Sequence, residues 1–143
     1  MSRTLLGFLT VASLALAGCG STTHFADKSR PPTPVNLSVY VNDSRVSVSP
    51  SSVGAGPVVF FVTNQASATE SVNIETSGGA SQLATTGPIN PNATQQVTVD
   101  FNPGAYVIAT SATDSTGTAP NIAPAELTVG RPRPSADNAL LQP

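Results

Sequence analysis

The chain has 143 residues, 10% of them charged, with a formal net charge of −2. That length allows one domain with a proper core, and a single lysine, Lys28, leaves no basic patch for nucleic acid. The single cysteine, Cys19, excludes an intramolecular disulfide, so the domain has to be stable without one.

Met1-Ser2-Arg3 is a short positive start, and Thr4 to Ala17 is an apolar run too short to span a bilayer. Small residues then lead directly into Cys19, so residues 1–18 read as a cleaved signal peptide. Leu16-Ala17-Gly18-Cys19 resembles the lipobox of bacterial lipoproteins, in which the cysteine thiol is diacylated and the peptide is cut just before it. The resemblance implies lipidation of Cys19 and a partner in the membrane itself. The protein would sit on the extracytoplasmic face of the cell membrane, or on the outer membrane of a cell that has two. Each buried methylene contributes about 0.8 kcal/mol, and two acyl chains suffice for stable anchoring. Residues 19–35 carry Pro31, Pro32 and Pro34 without apolar periodicity and are expected to be a flexible tether. Gly20 to Val35 would reach about 50 Å if fully extended.

Strand signals follow almost without interruption. Leu37, Val39 and Val41 alternate with Ser38 and Tyr40, and Val46 and Val48 with Ser47 and Ser49. Val58-Val59-Phe60-Phe61-Val62 is a continuous apolar run, expected to be buried on both faces. Val72 and Ile74 alternate again, Val97, Val99 and Phe101 share one face, and Ala105–Ser111 and Glu126–Val129 complete the set. Gly54-Ala55-Gly56-Pro57, Gly78-Gly79, Gly87-Pro88, Asn90-Pro91-Asn92 and Asn102-Pro103-Gly104 are expected to be the turns between them. The expectation is an all-β fold, an antiparallel Greek-key sandwich over residues 36–130, followed by a disordered tail over 131–143. In Asn102-Pro103-Gly104-Ala105-Tyr106, the tyrosine is placed to bond back to the turn backbone as a tyrosine corner.

The order of segments from Val48-Ser49-Pro50 through Gly56–Asn64, Ile89–Ala93 and Asp100–Tyr106 to Ala125–Val129 resembles the cupredoxin-like domain of blue copper proteins. An immunoglobulin-like sandwich would show similar strands, and strand pairing separates the two. Copper-binding members use two histidines, a cysteine thiolate and a weak methionine, because copper prefers imidazole and soft sulfur. Counted from Asn64, the family's first histidine falls on Glu70; counted from Tyr106, its cysteine falls on Thr110. The stretch from Ser111 to Pro124, which would supply the second histidine and the methionine, contains neither. A copper-free domain with no cofactor is therefore expected. Glu70 reads as a solvated strand-end residue and Asp114 as the start of a turn, with a calcium-type oxygen site as the alternative.

Catalysis finds little support in the residues. The strand region has no histidine or cysteine for a nucleophile–base pair, and its lack of lysine removes a Ser–Lys site. Glu70 and Glu75 lie an odd number of residues apart and so face opposite sides of a strand. The expected role is a non-enzymatic interaction module of the cell envelope with a protein partner there. The alternative is binding of a small ligand or metal ion.

Overall fold

The computed structural model describes residues 30–112 and 121–135. Cys19, the signal segment, the first part of the tether, Asp114 and the chain beyond residue 135 lie outside the described residues. Alternating valines, isoleucines and hydroxyl residues suit a pleated, half-buried surface and form eight strands. They are β1 (Val35–Val41), β2 (Val46–Ser49), β3 (Ser52–Asn64), β4 (Glu70–Thr76), β5 (Gln82–Thr85), β6 (Thr94–Phe101), β7 (Gly104–Ala112) and β8 (Ala125–Pro132). One sheet has the order β2-β1-β3-β6, and the other β3-β8-β7-β4-β5, so β3 belongs to both. β1 runs parallel to β3, as does β8; the remaining pairs are antiparallel. The all-β sandwich is thus as expected, with mixed sheets in place of purely antiparallel ones. An immunoglobulin-like sandwich joins its first, second, fifth and fourth strands in one sheet. The observed order removes that alternative.

The expected turn at Gly54-Ala55-Gly56-Pro57 is instead the interior of β3. Ser52 to Ala55 pair with β8, Val58 to Asn64 with β1, and Gly56 to Thr63 with β6, so the strand changes sheets where a turn was expected. The pairing with β8 shifts between Gly54 and Ala55, and Gly56 has φ of 119°, a conformation open to glycine. The glycines therefore mark a bend within a strand. β5, for its part, was not anticipated, because Gln82–Thr85 has no apolar alternation long enough to read.

The two sheets enclose one core. Leu37, Val39, Phe60, Val62 and Val99 from the first sheet meet Val72, Ile74, Ile108, Leu127 and Val129 from the second. Phe101 stands edge-on to Phe60 at 5.8 Å and to Tyr106 at 4.6 Å between ring centroids. Such pairs add about 0.5–1.5 kcal/mol beyond their buried area. The apolar run in β3 is buried on one face only: Val58, Phe60 and Val62 are buried, while Val59 and Phe61 are half-exposed. β3 is interior to its sheet between β1 and β6, but nothing among the described residues forms a third layer over its outer face.

The C-terminal segment departs from the expected tail. β8 continues to Pro132, and Arg133 lies across the bend in β3. Its guanidinium donates to the carbonyls of Gly54 at 3.1 Å, Ala55 at 3.3 Å, Thr33 at 2.6 Å and Pro57. A Cβ on Gly54 would lie 2.6 Å from Cγ of Arg133, so that glycine makes room for the arginine stem. Ser135 Oγ donates to the carbonyl of Arg30 at 2.7 Å, tying the C-terminal segment to the entering chain. At the same end Tyr106 Oη donates to the carbonyl of Asn102 at 2.8 Å, which is the tyrosine corner.

Arg133→Met keeps the stem and removes the guanidinium; it is expected to lower stability by about 1–3 kcal/mol, read as a lower urea midpoint with an unchanged slope. Tyr106→Phe is expected to cost about 1 kcal/mol in the same assay, and a neutral result would refute an energetic role for the corner bond.

Candidate functional site

The end of the sandwich opposite Arg133 gathers the positions where a copper family would keep its ligands. β3 ends there at Asn64, β4 begins at Glu70, β6 begins at Thr94, and β7 ends at Ala112. β1 spans the distance from the chain's entry at Val35, beside Val58, to Val41, beside Asn64. At about 3.3 Å per residue this places the two ends on the order of 20 Å apart.

Asn64 organises this end. It is fully buried, and its side-chain amide donates to the carbonyls of Ala68 and Ile89, each at 2.8 Å. Its Oδ1 accepts the Ala66 N–H at 2.9 Å. One side chain thus bridges the β3–β4 turn to the segment before β6. Its backbone does the same, because Asn64 N–H donates to Ala93 and Asn92 N–H donates to Asn64. Asn92 itself holds φ of 62°, a conformation asparagine tolerates. In the sequence, Asn64 serves only as a landmark from which to count. A polar residue at the end of an apolar strand is the available signal, but which carbonyls it meets depends on chain segments far apart in sequence.

Glu70 is the main correction. It is not solvated: its relative exposure is 1%, comparable to the valines beside it. The alternation of β4 explains this, since Glu70, Val72 and Ile74 share the inward face, while Glu75 lies on the other face and is half-exposed. Its backbone exchanges two hydrogen bonds with Ile89, at 3.1 and 2.8 Å, which fix the start of the strand. β4 and β7 pair so that Glu70 is opposite Ala112 and Val72 is opposite Thr110. Thr110 therefore falls on the same face as Glu70, two residue pairs further along. The two positions counted from the family resemblance are brought together, although they lie far apart in the chain. Asp114, the other residue of the calcium alternative, lies outside the described residues.

Around this core the rim is held by hydroxyls and amides. Thr86 is buried and accepts the Val72 N–H at 2.8 Å. Asn42 caps its turn by accepting from the N–H groups of Ser44 and Arg45, each at 2.9 Å. Asp43 accepts from the Ser67 N–H at 2.7 Å and Oγ at 2.8 Å, joining the β1–β2 turn to the β3–β4 turn. Those two bonds, the backbone one first, hold its carboxyl below the ordinary aspartate value.

The donor chemistry does not fit a blue copper centre. That centre needs a thiolate and imidazoles, and residues 30–135 contain no cysteine or histidine. Glu70 and Thr110 are oxygen donors, which suit hard cations. Among the described residues no group of three or more His, Cys, Asp or Glu side chains lies close enough to hold a metal ion.

The sequence matches no protein-family model, and no curated protein matches it. Among solved structures the fold is similar to dithionite-reduced auracyanin from the photosynthetic bacterium Roseiflexus castenholzii, with a TM-score of 0.49 and 16% identity, over 69% of this chain and 98% of that one. It is likewise similar to auracyanin A, a "blue" copper protein of Chloroflexus aurantiacus, with a TM-score of 0.49 and 12% identity, over 68% of this chain and 100% of that one. The multicopper oxidase mgLAC shows a TM-score of 0.43 at 13% identity, with 71% of this chain covering 39% of that one.

The donor set sets the expected outcome of a copper titration. Protein loaded with Cu(II) is expected to show no intense thiolate-to-copper absorption in the visible region; a blue sample would overturn the assignment of Glu70 and Thr110 to the ligand positions.

Proposed function

We propose that this chain is an extracytoplasmic lipoprotein, anchored through lipidated Cys19, whose cupredoxin-like sandwich carries no copper and serves as a non-enzymatic interaction module of the cell envelope. The observation that carries this reading is the end of the sandwich around Asn64. It keeps a rigid, cross-braced set of turns while Glu70 and Thr110 occupy the positions where the resembling family has imidazole and thiolate. Turns on a rigid scaffold are natural contact surfaces. The chain enters at the opposite end, beside Pro57 and Arg133, so an anchor upstream of Arg30 attaches at the end away from the braced turns.

A second reading follows from one observation, that Glu70 and Thr110 share the inner face at this end. Oxygen donors suit hard cations, and a calcium-type ion or a small polar ligand is the alternative occupant of this end.

In-cell cross-linking of the tagged chain, followed by mass spectrometry, separates these readings. An envelope protein enriched with the wild type, and lost when Cys19→Ser moves the chain from the membrane to the soluble fraction, is the expected result. No enriched protein, with Glu70→Gln abolishing calcium-dependent thermal stabilisation, would move the assignment to the second reading. Unchanged membrane partition of Cys19→Ser would sink the anchor.

A further inference from the structure

The sandwich has four sheet edges among the described residues, and three of them are blunted. β2 is four residues long, is followed by Pro50, and has its Val46 N–H bonded to the carbonyl of Ala123. β5 is four residues long and faces a register shift between Ile74 and Glu75. The first part of β3, the remaining edge of the second sheet, is bulged at Gly54 and crossed by Arg133. Short strands, prolines, bulges and covering side chains are the usual devices that stop a sheet from adding another strand.

β6 is neither short nor bulged and holds no proline, and β5 of the other sheet approaches it without pairing with it. Its eight residues, Thr94-Gln95-Gln96-Val97-Thr98-Val99-Asp100-Phe101, include no proline, glycine, lysine or arginine. They pair with β3 in unbroken register from Gly56–Phe101 to Thr63–Thr94. Among the described residues β6 pairs with β3 alone, and no other backbone bond reaches it. Thr94, Gln95, Gln96, Thr98 and Asp100 are exposed. The strand therefore offers a straight row of backbone donors and acceptors with one charge to guard it.

We propose that β6 is a self-association edge, and that a second copy of this chain adds its own β6 antiparallel across a twofold axis centred on Val97. Residues opposed across such an axis must share a face, which limits the centre to a residue and excludes the gap between two. A centre at Val97 sets Thr94 opposite Asp100, Gln96 opposite Thr98, and Val97 opposite itself. Both acids then face hydroxyls and neither faces the other. The pairing is self-complementary in charge as well as in shape, which is the requirement of a twofold interface. It places the two chain entries at opposite ends of the joined sheet. If the anchor of the preceding section holds, the ten residues from Gly20 to Ser29 reach about 33 Å when extended, more than the roughly 26 Å of β6, so both copies can stay on one membrane.

The test uses the full chain in detergent, with mass followed by sedimentation across a concentration series. The wild type is expected to pass from one-chain to two-chain mass. Gln96→Lys with Thr98→Lys sets lysine against lysine twice and is expected to weaken association on the order of tenfold or more. Gln96→Glu with Thr98→Glu is expected to do the same, and an equimolar mixture of the two variants to restore the two-chain mass. Restoration by mixing is a result that simple misfolding would not produce. A wild type that stays at one-chain mass, or a lysine variant that associates as the wild type does, would overturn the proposal. Cross-linking the lysine variant in cells keeps the two proposals apart. Capture of the same envelope protein by a one-chain variant leaves the interaction module standing whatever the fate of the β6 edge.

Discussion

The sandwich depends on the bend in β3. A strand of thirteen residues is long enough to serve both sheets, and it does so only because the chain turns between Gly54 and Pro57 without losing its pairing on either side. The bend exposes carbonyls that β-pairing leaves over, and the Arg133 guanidinium takes several of them at once. The same arginine reaches Thr33, so the entering chain, the bend and the end of β8 are held at one point. A planar cation with several fixed donors is suited to collecting carbonyls from two segments at once.

The opposite end is held by a neutral device. Asn64 supplies two donors and one acceptor to three backbone groups, and Asp43 adds a link between two turns through Ser67. This gives the turns a rigidity that does not depend on a metal ion. In a blue copper site the ion and its ligands bind the loops to one another. Here the braces are hydrogen bonds, and Glu70 and Thr110, the positions counted from the resemblance, are oxygen donors without the thiolate and imidazole that blue copper needs.

The two ends and the free edge divide the molecule into regions of different character. The Arg133 end joins the chain entry to the fold. The Asn64 end displays braced turns about 20 Å away. β6 lies along the side between them as an edge of the first sheet. With so few charged side chains, the faces themselves are covered by Ser, Thr, Asn and Gln, and among the described residues Tyr40, at 47% exposure, is the large hydrophobic residue most open to solvent. Backbone pairing is consequently the strongest directional interaction this surface offers.

Strand signals in the residues, alternation in some segments and a continuous apolar run in β3, were enough to locate seven of the strands and the all-β class. The tyrosine corner was legible for a similar reason: Asn102 and Tyr106 are close in sequence. That residues 30–135 hold no cysteine or histidine was legible too, since residue identity needs no coordinates. Tertiary structure alone decided the rest. Whether glycines make a turn or a bend depends on which strands flank them, and Gly54 to Pro57 are flanked by β8, β1 and β6, all distant in sequence. Arg133 read as part of a tail because its carbonyl partners lie far upstream. Glu70 read as solvated because a carboxylate's burial is set by the sheet opposite it, and its own neighbours in the chain, Thr69 and Ser71, carry no sign of that sheet.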